Sequence, residues 1–137
     1  MRRFLAVLLV GSVGLISAGV LGTKLHAHHS IGAAYRENRT ITVEGQLVQL
    51  LFRNPHSFMH VVVREKDGSL VRYAVEWVGA NQLGGQGVAR DTLQIGDRVV
   101  ISGNPGRNER DHLLRMLTLH RPKDGFGWGH RPGEVVD

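Results

Sequence analysis

Residues 41–52 read ITVEGQLVQLLF, and their alternation of apolar and polar side chains predicts a β-strand. One face of this strand carries Ile41, Val43, Leu47 and Leu51, and the other carries Thr42, Glu44 and Gln46. Gly45 stands inside the strand, where it indicates a bend or a bulge. Asn54 and Pro55 then end the strand, because proline lacks an N–H donor and asparagine favours turns. We therefore expect the sheet to begin with a long, bent strand.

Four more strands are predicted downstream of this turn, at Phe58–Glu65, Leu70–Trp77, Arg98–Gly103 and Leu113–His120. Asp67-Gly68 predicts a hairpin turn between the second and third strands. The segment after the third strand loses its period, and its glycines allow only a short helical turn or an irregular link. These elements predict an all-β fold, a small five-stranded Greek-key barrel of the oligonucleotide/oligosaccharide-binding (OB-like) type. A β-sandwich would need about seven strands.

The chain starts with the layout of a secretory signal peptide, which also predicts an N-terminal hydrophobic helix. Met1-Arg2-Arg3 is basic, Phe4–Leu21 is an apolar run without a charge, and Ala27 is a small residue suited to cleavage. We expect residues 1–27 to be removed as a signal peptide. The alternative is an uncleaved anchor, because the apolar run reaches the ~18 residues of a plausible membrane span. Both alternatives leave the folded part outside the cytoplasmic membrane, so we expect a periplasmic or otherwise exported protein.

The remaining chain divides into a polar arm at residues 28–39, a barrel domain at 40–121 and a flexible tail at 122–137. The 137 residues carry a net charge of +5, but loss of Arg2, Arg3 and Lys24 with the leader leaves 14 basic against 12 acidic residues, or +2. A nearly neutral surface of this kind argues against nucleic-acid binding. The absence of cysteine excludes a disulfide scaffold and thiolate metal sites.

Histidine is the unusual residue of this sequence, with eight copies. His28 and His29 directly follow the predicted cleavage site, and His56 ends the Asn54-Pro55-His56 turn. If cleavage leaves His28 as the first residue, its α-amine and ring nitrogen can chelate a metal that His56 completes, a nitrogen site suited to Cu(II). A zinc site of histidine and carboxylate is the alternative metal site. For a shared metal, the ring nitrogens of His28 or His29 must lie within ~4–5 Å of those of His56. A separation of more than ~12 Å on an ordered arm would make the pair a solvated terminus instead.

No recognised catalytic set accompanies these histidines, so a non-enzymatic binding domain is favoured over an enzyme. Asn54, Glu76 and Trp77 are further candidates, either for a ligand site or for structure. Trp77 forms, with Tyr73, either a stacking surface for a sugar or part of the core.

Three functions stay open: a domain that binds copper or zinc through the histidines, an interaction module that binds a protein or saccharide on the barrel face, and a copper-dependent redox accessory protein. The identity of any ligand or protein partner is not contained in these patterns. Contact with a membrane is expected only through an uncleaved N-terminal segment.

Several short motifs, taken in order, resemble a family of short exported bacterial proteins of unknown function. The family is marked by a His-His-Ser start, here His28-His29-Ser30, and by an Asn-Pro-His turn, here Asn54-Pro55-His56. Further matching positions are Tyr35, Glu76, Asn81, Leu83, Asp91-Thr92-Leu93, Gly96-Asp97 and Gly103-Asn104-Pro105. The sequence departs from the family pattern at Gly87-Val88 and at His60. The resemblance covers about residues 28–125 and implies an exported, β-rich domain without an established activity.

Overall fold

The computed structural model describes residues 31–129. Its elements, in chain order, are α1 Ile31–Ala34, β1 Ile41–Leu51, β2 His56–Arg64, β3 Leu70–Val78, α2 Ala80–Gly85, β4 Arg98–Pro105, a 3₁₀ turn Glu109–Asp111, β5 Leu113–Arg121 and β6 Phe126–Trp128. The predicted leader at 1–27 lies outside the described residues. Within them, no helix is both long and apolar enough to cross a membrane.

Five of the strands close into a barrel. Antiparallel pairing joins them in the order β3-β2-β1-β4-β5, and a parallel pairing of β3 with β5 completes the circle. This last pairing is short and joins Ala74–Glu76 to Leu113–Arg115. The prediction of a mostly β, closed five-stranded barrel with little helix is therefore confirmed.

Strand β1 lies between β2 and β4 and pairs with both of them. Gly45 pairs with Val63 of β2 on one side and with Val99 of β4 on the other. A Cβ atom at this position would lie 2.3 Å from the backbone oxygen of Val62, so the close approach of β2 requires glycine. The register of β1 against β2 shifts between Leu47 and Gln49, next to the predicted bend.

The core fills the barrel with side chains from alternate strand positions. Its fully buried members are Leu47, Met59, Val61, Val75, Leu83, Val99, Ile101, Leu114 and Leu119. Leu83 comes from α2, a short helix in the segment after β3, where a short helical turn or an irregular link was predicted. The hairpin turn between β2 and β3 has Gly68 at a φ of 85°, a conformation that favours glycine.

The two ends of the described chain differ from the sequence-based expectation. Phe126–Trp128 forms a sixth strand paired with β5, in a segment that was predicted to be a flexible tail. Trp128 holds it in place, because its ring packs edge-on against Trp77 at 5.3 Å between ring centroids. At the other end, the described part of the polar arm contains α1 and a backbone bridge from Tyr35 to Gly106. Both ends are ordered by contacts distant in sequence.

Candidate functional site

The Asn54-Pro55-His56 turn is fixed to the junction between β3 and α2. Asn54 Oδ1 accepts a hydrogen bond of 3.0 Å from the backbone N–H of Asn81, one residue into α2. The Ala80 N–H donates to the backbone oxygen of Arg53 at 3.0 Å, and the peptide bond between Asn54 and Pro55 is cis. Of the two roles predicted for Asn54, the structure supports the structural one, since its side chain satisfies a helix N–H group.

Gly79 makes this junction possible. A Cβ atom on Gly79 would lie 2.5 Å from the backbone oxygen of Pro55 and 2.8 Å from Asn54 Oδ1. No side chain can occupy that space, so the turn and the strand end are in direct backbone contact. His56 follows as the first residue of β2, opposite Val78 at the end of β3.

A chain of three polar side chains runs across the outer face of the barrel here. His56 Nδ1 is paired with Glu76 Oε1, and Glu76 Oε2 accepts a hydrogen bond of 2.5 Å from the Tyr35 hydroxyl. Both carboxylate oxygens of Glu76 are therefore engaged. The side chain of Glu76 is only 17% exposed, whereas that of His56 is 52% exposed. The exposed imidazole of His56 thus contacts a carboxylate that is largely buried.

This arrangement decides which nitrogen of His56 can bind a ligand. The carboxylate oxygen beside Nδ1 favours the tautomer of the neutral ring that carries its proton on Nδ1, which leaves the lone pair on Nε2. His56 Nε2 makes no hydrogen bond to any residue in the range 31–129. A histidine held by a carboxylate through one nitrogen and open at the other is the usual arrangement of a metal ligand and its supporting partner.

Tyr35 connects the arm to this site. Burial raises the pKa of Tyr35, and the hydrogen bond to Glu76 and the negative charge of that carboxylate raise it further. The hydroxyl therefore stays protonated and acts as a donor at neutral pH. The sequence singled out Tyr35 only through the family resemblance, and its contact with Glu76, 41 positions away, has no local signal.

Arg115 is the other member of the site that the sequence did not indicate. It is the partner of Glu76 across the parallel β3–β5 pairing. Its contact with Glu37 Oε1, at 3.8 Å, is its one ion pair within the part of the chain that the structure describes. An alternating strand pattern predicts that Arg115 faces outward, but not which residue it faces.

Trp77 has a structural role. Its side chain lies in the core at 3% exposure, in edge-on contact with Trp128. The stacking-surface interpretation is therefore wrong for Trp77, because a sugar cannot reach a buried ring. Tyr73 is partly buried and lines a groove of 780 Å³ next to the β2–β3 hairpin.

The predicted histidine cluster is only partly visible. His28 and His29 lie outside the described residues, so their meeting with His56 stays a prediction. Within residues 31–129, no group of three histidine or acidic side chains is arranged to hold a metal ion. His56 and Glu76 are two of the candidates named from the sequence, and the structure brings them into contact.

Comparison with known proteins gives one relationship. The model of a protein family described as a family of unknown function, DUF6152, matches residues 15–115. No curated protein matches the chain. The family match covers well over half of the chain, and the predicted resemblance to an uncharacterised domain family is confirmed.

Proposed function

The chain belongs to DUF6152, a family of unknown function, and we propose that it is an exported β-barrel domain that binds a copper or zinc ion at His56. The observation that carries this proposal is the pairing of His56 Nδ1 with Glu76, which leaves Nε2 to bind a ligand. The strand order and the parallel closure support an OB-like Greek-key barrel as its scaffold.

One imidazole does not hold a metal tightly, so further ligands are needed. His28 and His29 are our candidates for them, with the α-amine of His28 if cleavage follows Ala27. The position of Tyr35 supports this choice, because its hydroxyl donates a hydrogen bond to Glu76, which also contacts His56. His29 precedes Tyr35 by six residues, which span at most ~20 Å. We propose that this tether lets the histidine pair reach His56.

The test is a metal titration of the exported protein, with its intact mass measured to fix the first residue. We expect His56→Asn to weaken Cu(II) or Zn(II) binding by about tenfold or more, the range seen when a metal site loses a supporting group. His60→Asn is the matched control, since His60 lies on the same strand and is expected to leave affinity unchanged. Equal affinities for the two variants would refute a site at His56. So would binding no tighter than that of a peptide of residues 28–39.

A second candidate function is an interaction module, and the 780 Å³ groove favours it. The groove has Tyr73 in its wall and the exposed Leu70 at its edge, which suits contact with a protein or a saccharide. Leu70→Ser would then reduce partner binding and leave metal affinity unchanged. A copper-dependent redox accessory role would extend the metal proposal. This role requires cleavage that leaves His28 as the first residue.

A further inference from the structure

Three exposed arginines lie in a row along the outer face of β2 and β3. Arg64 ends β2, and Arg72 stands in β3 opposite Val62. The guanidinium of Arg53 lies over the ring of Phe58, 5.5 Å from its centroid. Because Phe58 and Arg64 are six residues apart on one strand, this arginine row spans ~20 Å.

The positive charge of the arginine row is not balanced by acidic side chains. None of the three arginines forms an ion pair with a carboxylate within residues 31–129. Glu76 is the one acid at an outward-facing position of β2 and β3, and Tyr35 and His56 engage its two oxygens. Arg64 and Arg72 are diagonal neighbours across the strands, with Cα atoms ~7–8 Å apart. Since like charges this close repel each other, an anion bound between them would stabilise this face.

Most hydrogen-bond donors of the arginine row are unused. Arg64 donates to the backbone oxygen of Gly68, and Arg72 donates to Gln49 Oε1. Within the described residues, the hydrogen bonds of Arg53 are made by its backbone, and the aromatic ring beneath it positions its guanidinium. A guanidinium has five N–H groups, so each arginine keeps donors that can bind a carboxylate.

The surface between the arginines has small side chains and no further charge. Val62 and Ala74 are half-buried there. Burial and the charge of Arg72 lower the pKa of His60, so this histidine is neutral at neutral pH. Arg53 covers the ring of Phe58, which leaves no free aromatic face for the base stacking that single-stranded nucleic acids use. A shallow apolar strip beside cationic groups suits the apolar face of a sugar ring that carries a carboxylate.

We propose that the arginine row binds a linear polysaccharide of uronic acids, whose carboxylates pair with the three guanidiniums. A carboxylate matches the geometry of the guanidinium fork, and an extended polymer matches a row of ~20 Å. The proposal rests on the second candidate function, the interaction module, and names its partner class; it does not require a metal at His56. Val62 and Arg64 also line the 780 Å³ groove, so the arginine row and the groove are continuous.

The test is a calorimetric titration of the protein with a hexamer of galacturonic acid, in the presence of a metal chelator. We expect saturable binding that weakens as the salt concentration is raised. A neutral glucose hexamer should not bind, because it offers no carboxylate to the arginines. A thymidine hexanucleotide carries a similar charge and should bind more weakly. Equal or tighter binding of the hexanucleotide would overturn the choice of a saccharide.

Variants of the arginine row complete the test. Arg53→Gln and Arg72→Gln should each weaken binding of the hexamer by about tenfold, the loss expected for a hydrogen bond between charged groups. Arg110→Gln is the matched control, since it removes the same charge from an exposed position on the 3₁₀ turn and should leave the affinity unchanged. Urea unfolding shows that each variant is folded.

Two results would overturn the proposal. One is the absence of hexamer binding by the wild-type protein, and the other is an equal loss of affinity in all three variants, which would show that net charge alone drives binding. Copper and zinc affinities are measured separately, so either result leaves the metal site at His56 standing. The Leu70→Ser variant tests the groove independently of the arginine row.

Discussion

Protonation of Asp97 should remove a defined part of the stability of this barrel in acid. Its side chain is 5% exposed and accepts a hydrogen bond of 2.7 Å from Arg121, one from Lys123 and one of 3.0 Å from the backbone N–H of Gln94. Burial alone would raise the pKa of Asp97, but these three donors and the charge of Arg121 more than offset it and lower the pKa to about 2.

The loss of stability in acid follows from the difference between the pKa of Asp97 in the folded and in the unfolded protein. The ordinary pKa of Asp97 is 3.8, so lowering it to about 2 stabilises the folded state by about 2 kcal/mol when Asp97 is ionised. Because the folded pKa is the lower one, this contribution is complete above about pH 5 and is lost as the pH falls through the folded pKa. About half of it is lost by pH 3 and most of it by pH 2.

Urea unfolding at pH 7 and pH 3, followed by tryptophan fluorescence, measures this loss. Asp97→Asn keeps the shape of the side chain but cannot titrate, and other acid-sensitive groups cancel in the comparison. We expect the difference in free energy of unfolding between wild type and Asp97→Asn to shrink by about 1 kcal/mol from pH 7 to pH 3. Asp91→Asn, at an exposed position, should show no such change. A difference that is equal at both pH values would refute the linkage.

Two further predictions concern the residues that hold His56. Gly79→Ala should lower the free energy of unfolding, measured with urea, by ~1–3 kcal/mol, because its Cβ would collide with Pro55 O and Asn54 Oδ1. Gly84→Ala is the control, since a Cβ there has no atom within 4 Å. It should be neutral or stabilising by up to ~1 kcal/mol. Tyr35→Phe removes a hydrogen bond to the ionised Glu76 and should cost ~1.5–3 kcal/mol in the same assay, an expectation that an unchanged urea midpoint would contradict.

Most of the barrel could be predicted because its strands carry local patterns. The alternation at 41–52 and the Asp67-Gly68 turn act over a few residues, and both predictions match the observed β1 and the β2–β3 hairpin. Buried positions follow the same alternation, as Val75 and Trp77 on one face of β3 illustrate. Pattern and burial agree here because a strand places every second side chain on the same face.

The contacts that attach the loops and the two ends of the described chain to the barrel could not be predicted, because they join residues that are distant in sequence. Arg121 reaches Asp97 across 24 positions, and Tyr35 reaches Glu76 across 41. Nothing in the local composition around Phe126–Trp128 indicates a strand, since the pairing depends on β5 and on the edge-on contact of Trp128 with the core. Glycine-rich ends of a chain resemble a frayed tail unless such partners are known.

The site combines parts that local sequence patterns predict with parts that they do not, and Tyr35 offers a test of the proposed metal site against a plain ion pair. An ion pair on the surface would need only His56 and Glu76, and pairs of this kind contribute little. Here Asn54 and Gly79 fix the backbone that leads into His56, and Tyr35 engages the second oxygen of the carboxylate. Such support restricts the orientation of one exposed imidazole, as metal ligands require. Tyr35→Phe therefore separates the two explanations: an ion pair predicts a change in stability alone, and a metal site predicts weaker Cu(II) or Zn(II) binding as well.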